Sequence, residues 1–273
     1  MTNPLIKKSH QSISVIILSY NGEKYIKETI DSVLLQDHDN INIIIVDDNS
    51  KTPTLDILHK YKTIPNISII YNYENKGIVK NVNDTILSIT SDFFIILGHD
   101  DLIPSDHISI MINEFEDGVA SVHCNSYLID SNGKKGELLK IDSVQEQKSQ
   151  TQKIRQELAI DNFISSCGMI HKTKVFQSVN GWDEKYKNYG EWLYYINSLD
   201  YGVIKYTSKT RAFYRRHDTN ITNTFKDKNI KHGVYLYKKN CRKHSFKKSN
   251  KNLVFLLRYL LENIKSYLYE YKK

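Results

Sequence analysis

Two pairs of adjacent carboxylates stand out in this chain, Asp47 with Asp48 directly after one continuous apolar run and Asp100 with Asp101 two residues after another. One Asp after such a run is ordinarily a turn residue or a helix cap. Two adjacent carboxylates repel each other when buried and ionised, and a divalent cation relieves that repulsion. Mg²⁺ and Mn²⁺ take hard oxygen ligands and commonly bridge carboxylates to substrate phosphates. The residues therefore leave two readings of the second pair: a metal–diphosphate site, or a solvated turn that opens a helix after Pro104.

Apolar runs at residues 14–19 (SVIILS), 41–46 (INIIIV), 67–71 and 93–97 (FFIIL) read as strands, the continuous ones being buried on both faces. Helical spacing separates them at residues 24–35, 55–61 and 79–89. Such alternation predicts a parallel α/β sheet with right-handed crossovers. Ligands bind such sheets at the carboxyl ends of the strands. That rim carries Ser19, Tyr20 and Asn21, then Asp47 to Ser50, then residues 75–80, then His99, Asp100 and Asp101. Beyond Leu102 the spacing predicts a helix over 105–115, a strand over 118–129 and a turn over 130–136. It then predicts an exposed or mobile loop over 143–155 and short elements at 163–171, 175–179, 194–199 and 203–206. From Phe225 onward the pattern is helical, with Leu253, Leu257, Leu260, Leu261, Ile264, Leu268 and Tyr271 near one face.

The chain has 273 residues, 40% of them hydrophobic, enough for a substantial core. Cys124, Cys167 and Cys241 are scattered without CxxC spacing, which argues against a disulfide framework or a structural zinc site. No apolar run approaches the ~18–20 residues that cross a bilayer. The polar first dozen residues lack the core of a signal peptide, so a cytoplasmic protein is expected. The net charge of +7 is uneven: from Lys226 onward 14 Lys and Arg face 3 Asp and Glu, whereas the preceding 225 residues hold 24 against 28. A mildly acidic body argues against a nucleic-acid partner. No GxSxG nucleophile motif occurs.

The segments SVIILSYNGEKYIKETIDSVLLQ, INIIIVDDNS, NKGIVKNVND and FFIILGHDDLIPSD, in that order, resemble the nucleotide-sugar half of a family 2 glycosyltransferase. The resemblance is close over 13–106 and continues through GMIHKTKVFQSVNGWDEKYKNYGEWLYYI to about His217. It implies a GT-A fold: α/β, a Rossmann-like mixed, mostly parallel sheet flanked by helices, here with a C-terminal helical extension. The expected division is a domain over 1–225, with a nucleotide-sugar half at 13–106 and an acceptor half at 107–225, and a basic amphipathic tail at 226–273. The resemblance further implies a nucleotide-sugar donor, a divalent metal (Mn²⁺ or Mg²⁺) and inversion at the anomeric carbon.

Carried over by residue, the resemblance places Leu18, Ser19 and Tyr20 along the nucleotide pocket. It sets Asp48 against the base, uracil in the first instance, with Asp47 structural. Lys80 stands where the family usually has Arg; it can offset phosphate charge but cannot make a bidentate contact. Many members carry Asp where Gly98 stands, so Asp101 is expected as direct metal ligand, with Asp100 near the ribose or metal. Inverting transfer needs a carboxylate to take the acceptor proton. The match is Tyr189-Gly190-Glu191-Trp192, which makes Glu191 the candidate base and Asp183 its rival. Tyr214-Arg215-Arg216-His217 resembles the late Arg/His motif, with Arg216 on phosphate and His217 on phosphate or metal. Trp182, Asp183 and Trp192 are candidates for the acceptor or sugar site; either Trp could equally be core. The acceptor is expected to be a glycan or lipid-linked glycan hydroxyl in surface-polysaccharide assembly. The tail fits either an anionic lipid surface, at the inner face of the cell membrane, or packing on the domain or a second subunit. A nucleotidyltransferase and a non-catalytic sugar-nucleotide-binding protein are the alternatives.

Overall fold

The computed structural model describes residues 11–150, 153–185, 190–220 and 228–271. Four parallel strands form one half of the sheet: β1 (Ile13–Ser19), β2 (Ile41–Asp47), β3 (Ile67–Tyr71) and β4 (Phe93–Gly98). Helices α1 (Ile26–Leu34), α2 (Thr52–His59) and α3 (Ile78–Ile86) connect them. The remainder holds α4 (His107–Asn113), β5 (Val119–Ile129), β6 (Lys135–Leu138), α5 (Asp142–Lys148) and α6 (Ile154–Leu158). It continues with β7 (Ile170–Lys172), α7 (Thr173–Val179), α8 (Gly190–Ser198) and β8 (Val203–Arg215). Two helices follow, α9 (Lys228–Lys248) and α10 (Leu253–Tyr271). The sheet order is β3-β2-β1-β4-β7-β5-β6, with β8 alongside β5. β7 runs antiparallel to both neighbours, and β5 and β8 are parallel.

Strand periodicity divides the core. Ile13, Val15 and Ile17 pack with Ile30, Ile43, Ile45, Ile95 and Met111 on one face of the sheet. Ile16 packs with Val46, Val82, Phe94, Phe176 and Trp192 on the other. Both faces are covered, which is why these strands read as unbroken apolar runs. The register aligns Leu18 with Val46 and Gly98, and places Ser19, Asp47 and Tyr71 side by side. The carboxyl ends of four strands thus form a common rim.

Two expectations change, and the helical tail is found as expected. The loop expected over 143–155 instead contains α5 and α6. Asp142 anchors α5 through the Tyr206 hydroxyl at 2.5 Å, the Asn125 amide at 2.9 Å and the Arg211 guanidinium. Ile154 and Leu158 of α6 enter the core. The short element at 203–206 is the start of a 13-residue strand that runs beside β5, with a break in register between Thr207 and Arg211. The tail is a helical hairpin in which Asn252 caps α10, its side-chain oxygen accepting the Phe255 N–H at 2.9 Å.

Candidate active site

The GHDD turn that follows β4 is held from beneath by Thr29 of α1. Its buried hydroxyl lies 2.8 Å from the His99 carbonyl and 2.9 Å from the Asp101 carbonyl. The two carboxylates point to different surroundings. Asp100 Oδ2 lies 2.8 Å from His217 Nε2 and 3.1 Å from the Asn220 amide nitrogen. Asp101 turns inward, where its Oδ1 accepts the Arg215 N–H at 3.0 Å. Burial and the neighbouring Asp100 push the Asp101 carboxyl well above the usual range. A Cβ on Gly98 would sit 2.7 Å from Asp100 Oδ1, so the Asp100 carboxylate occupies the space a side chain at position 98 would need.

These positions revise two expectations. The direct-ligand role foreseen for Asp101 is not the one its buried, backbone-bonded carboxylate favours; Asp100 carries the oxygen beside His217. Arg216, foreseen on phosphate, is exposed at the end of β8, with its guanidinium 4.9 Å from the Tyr214 ring centroid. Of the two neighbours, Arg215 is the buried one. Its Nε donates to the Asp100 carbonyl at 2.9 Å, one guanidinium nitrogen to the Asp130 carbonyl at 3.2 Å and the other to Glu28 at 2.6 Å, while the guanidinium stands 4.6 Å from the Tyr25 ring centroid. Arg215 therefore fixes the turn. Sequence reasoning passed over it because a YRRH string does not reveal which arginine points inward.

At the other end of the rim, Asp48 accepts the Asn72 amide at 3.0 Å, the Lys76 N–H at 2.8 Å and the Gly77 N–H at 2.9 Å. These bonds outweigh burial and hold its carboxyl below the ordinary value, so it remains an acceptor. Asp47 Oδ2 accepts the Ser50 N–H at 2.9 Å, whereas Asp47 Oδ1, Ser19 Oγ and Tyr71 OH are buried without a hydrogen-bond partner. Leu18 is half-buried and Tyr20 exposed on the same rim. A cavity of about 400 Å³ lies at the β3 side, lined by Ile70, Tyr71, Asn72, Tyr73, Glu74 and Lys76. Lys80 instead forms an exposed ion pair with Asp84 at 3.1 Å along α3. Lys76 lines the cavity and gives its backbone N–H to Asp48, while its ammonium lies 3.7 Å from the same Asp84.

Glu191 stands in the first turn of α8 and is half-buried. Burial pushes its carboxyl up to about 7, against the lowering effect of Lys140 and Ser166. Lys140 is itself pushed down to about 8 by burial, and its ammonium donates to the Phe163 carbonyl at 2.5 Å. Cys167, adjacent to Ser166, donates its thiol to the Phe213 carbonyl at 3.8 Å. Trp192 is core, its indole N–H donating to the Leu158 carbonyl at 3.2 Å, which corrects the expectation of a sugar-stacking ring. Trp182 is also buried, with no partner for its Nε1. Asp183 accepts the Lys185 N–H at 3.0 Å in a turn and lines a separate cavity of about 290 Å³ with Leu193 and α9. Tyr189 lies outside the described residues.

Among the described residues, no group of three or more His, Cys, Asp or Glu side chains is arranged to hold a metal ion. Asp100 and His217 nevertheless present a carboxylate oxygen and an imidazole nitrogen side by side. That donor pair fits Mn²⁺ or Mg²⁺ when substrate phosphates and water complete the shell.

An uncharacterized glycosyltransferase of Rickettsia typhi is 29% identical over 218 residues, 78% of this chain and 66% of its own length. A putative teichuronic acid biosynthesis glycosyltransferase of Bacillus subtilis is 37% identical over 97 residues, 35% of this chain and 38% of its own length. The chain thus spans under two thirds of each. Among solved structures, S. aureus TarS 1–349 in complex with UDP-GlcNAc superposes with a TM-score of 0.66 at 17% identity, over 95% of this chain and 73% of that one. A mannosyltransferase from Pyrobaculum calidifontis, in complex with GDP-Man and Mn²⁺, superposes with a TM-score of 0.60 at 13% identity, over 96% and 82%. These likenesses identify the fold as GT-A. Residues 14–179 match the family described as glycosyl transferase family 2, and the chain belongs to that family.

Proposed function

We propose that this chain is an inverting glycosyltransferase that moves a sugar from a UDP-sugar to a hydroxyl of a glycan or lipid-linked glycan during surface-polysaccharide assembly. The observation that carries this reading is the rim itself, where the Asn72 amide and the Lys76 and Gly77 N–H groups hold Asp48 as an acceptor at one end and Asp100 stands beside His217 at the other. Glu191 adds a carboxyl that burial raises to about 7. The UDP-GlcNAc complex of TarS and the teichuronic acid relative support the donor and the setting.

In this reading Glu191 takes the proton from the acceptor hydroxyl as its oxygen bonds to the anomeric carbon. The bond from that carbon to the donor's phosphate oxygen breaks in the same step, and the nucleoside diphosphate departs with the electron pair. Asp48, held ionised, is set to accept an imide N–H of the base. Lys76, on the cavity wall, is set to offset charge growing on the diphosphate. A divalent cation bound at Asp100 and His217 would add positive charge there.

A panel of UDP- and GDP-sugars with Mn²⁺ tests the proposal, with release of the free nucleotide diphosphate as readout. Release from one UDP-sugar, accelerated by a glycan acceptor and lost in Glu191→Gln, is expected. Tight donor binding with no turnover in any acceptor mixture would favour a non-catalytic binding protein.

A further inference from the structure

The last helix leaves a broad apolar stripe uncovered. Its opposite face is fastened down: the Tyr259 ring lies 4.1 Å from Phe246 of α9, Arg242 donates to Ser266 at 2.6 Å, and Arg258 spans both oxygens of Glu157 at 2.7 and 3.0 Å. With that face fixed, Leu253, Leu257, Leu260, Leu261, Ile264 and Leu268 project away from the protein and are 43 to 72% exposed. A contiguous apolar surface of this kind marks an interaction site.

The charge around the stripe identifies the occupant. Lys238, Lys239, Lys243 and Lys247 of α9 and Lys265 of α10 are all exposed. From Lys226 onward the excess of Lys and Arg over Asp and Glu is 11. Apposing a second copy would bring like charge to like charge, whereas an anionic lipid surface neutralises it. Exposed Tyr267 and Tyr269, near the end of the helix, suit the headgroup region. Among the described residues no helix is long and apolar enough to cross a membrane, so the helix would lie in the interface plane. We infer that α10 docks the protein on an anionic membrane surface, leucine stripe inward, with the lysines of the hairpin beside the headgroups. This assignment does not depend on the transferase reading.

Sedimentation of the full chain with vesicles tests it, using phosphatidylcholine alone and phosphatidylcholine with about a third phosphatidylglycerol. Binding to the anionic vesicles at least about tenfold tighter than to neutral ones, weakened by added salt, is expected. Leu257→Glu with Leu261→Glu should lower that binding by about tenfold or more while leaving the melting temperature in place, because neither side chain packs on the body. Lys243→Glu with Lys247→Glu should weaken only the anionic-lipid component. Absence of binding to anionic vesicles at low salt would overturn the inference. So would a concentration-dependent dimer, seen by sedimentation velocity without lipid, that the leucine substitutions dissociate.

Discussion

His217 Nε2 lies 2.8 Å from Asp100 Oδ2, joining the segment after β8 to the turn after β4 across 117 positions of chain. The contact exists because β8 runs on to Arg215, whose backbone N–H is received by Asp101. If this pair receives the metal–diphosphate part of a donor, His217→Ala should weaken nucleotide diphosphate binding about tenfold in Mn²⁺ and much less in chelator. Calorimetric titration in the two buffers measures the difference.

Glu191 provides a pH test. Its carboxyl is pushed up to about 7, so the basic form prevails only above that value. We predict that kcat/KM rises with pH through about 7 and then levels. Lys140 lowers the Glu191 pKa, so Lys140→Met should move the rising limb to higher pH. Glu191→Gln should cost about 10²- to 10⁴-fold in kcat with little change in donor affinity.

The same group makes a stability prediction. Its folded pKa lies above the ordinary glutamate value, so the folded state binds the proton more tightly than the unfolded state does. The resulting stability is present at low pH and is lost as pH rises through about 7. Glu191→Gln should therefore melt higher than the parent chain at alkaline pH, with the gap closing in acid. Thermal scans across that range decide it.

Asp101 and Arg215 are predicted to act on stability. Asp101→Ala leaves the Arg215 N–H without its acceptor in a buried place and should cost about 1–3 kcal/mol. Asp101→Asn keeps an acceptor and should cost less. Denaturant unfolding measures both, and nucleotide binding by the Asn variant should still respond to metal.

Asn83 and Trp182 provide a structural test. The Asn83 amide donates to the Trp182 carbonyl and receives the Trp182 N–H, both at 2.8 Å, which ties α3 to the GWDE turn. Gly181 has φ +76°, and a Cβ there would sit 2.4 Å from Asn83 Oδ1. Asn83→Ala should cost about 2 kcal/mol by stranding two buried backbone groups, with Gly181→Ala at least as disruptive. Denaturant unfolding of both variants measures this.

The strands were legible because burial on both faces writes an unbroken apolar run, and their ends located the rim. Side-chain direction was not. Nothing local distinguishes Arg215 from Arg216; the phase of β8 against β5 does. Nor does adjacency say which of Asp100 and Asp101 turns inward, since the Arg215 N–H and the Asn220 amide decide it from more than a hundred positions away. α5 is not legible as a helix because its polar sequence is organised by Arg211, Tyr206 and Asn125, partners supplied by the tertiary fold. Lys80 and Trp192 looked functional by type, yet the lysine pairs along its own helix and the indole N–H meets a core carbonyl.

The most direct test is a titration of uridine diphosphate into the parent chain and into Asp100→Asn, each with Mn²⁺ and with chelator. Tight binding that needs the metal in the parent chain and loses that dependence in the variant is the predicted result. Equal affinity in all four mixtures, with the variant folded, would contradict the assignment of the GHDD rim as the diphosphate site.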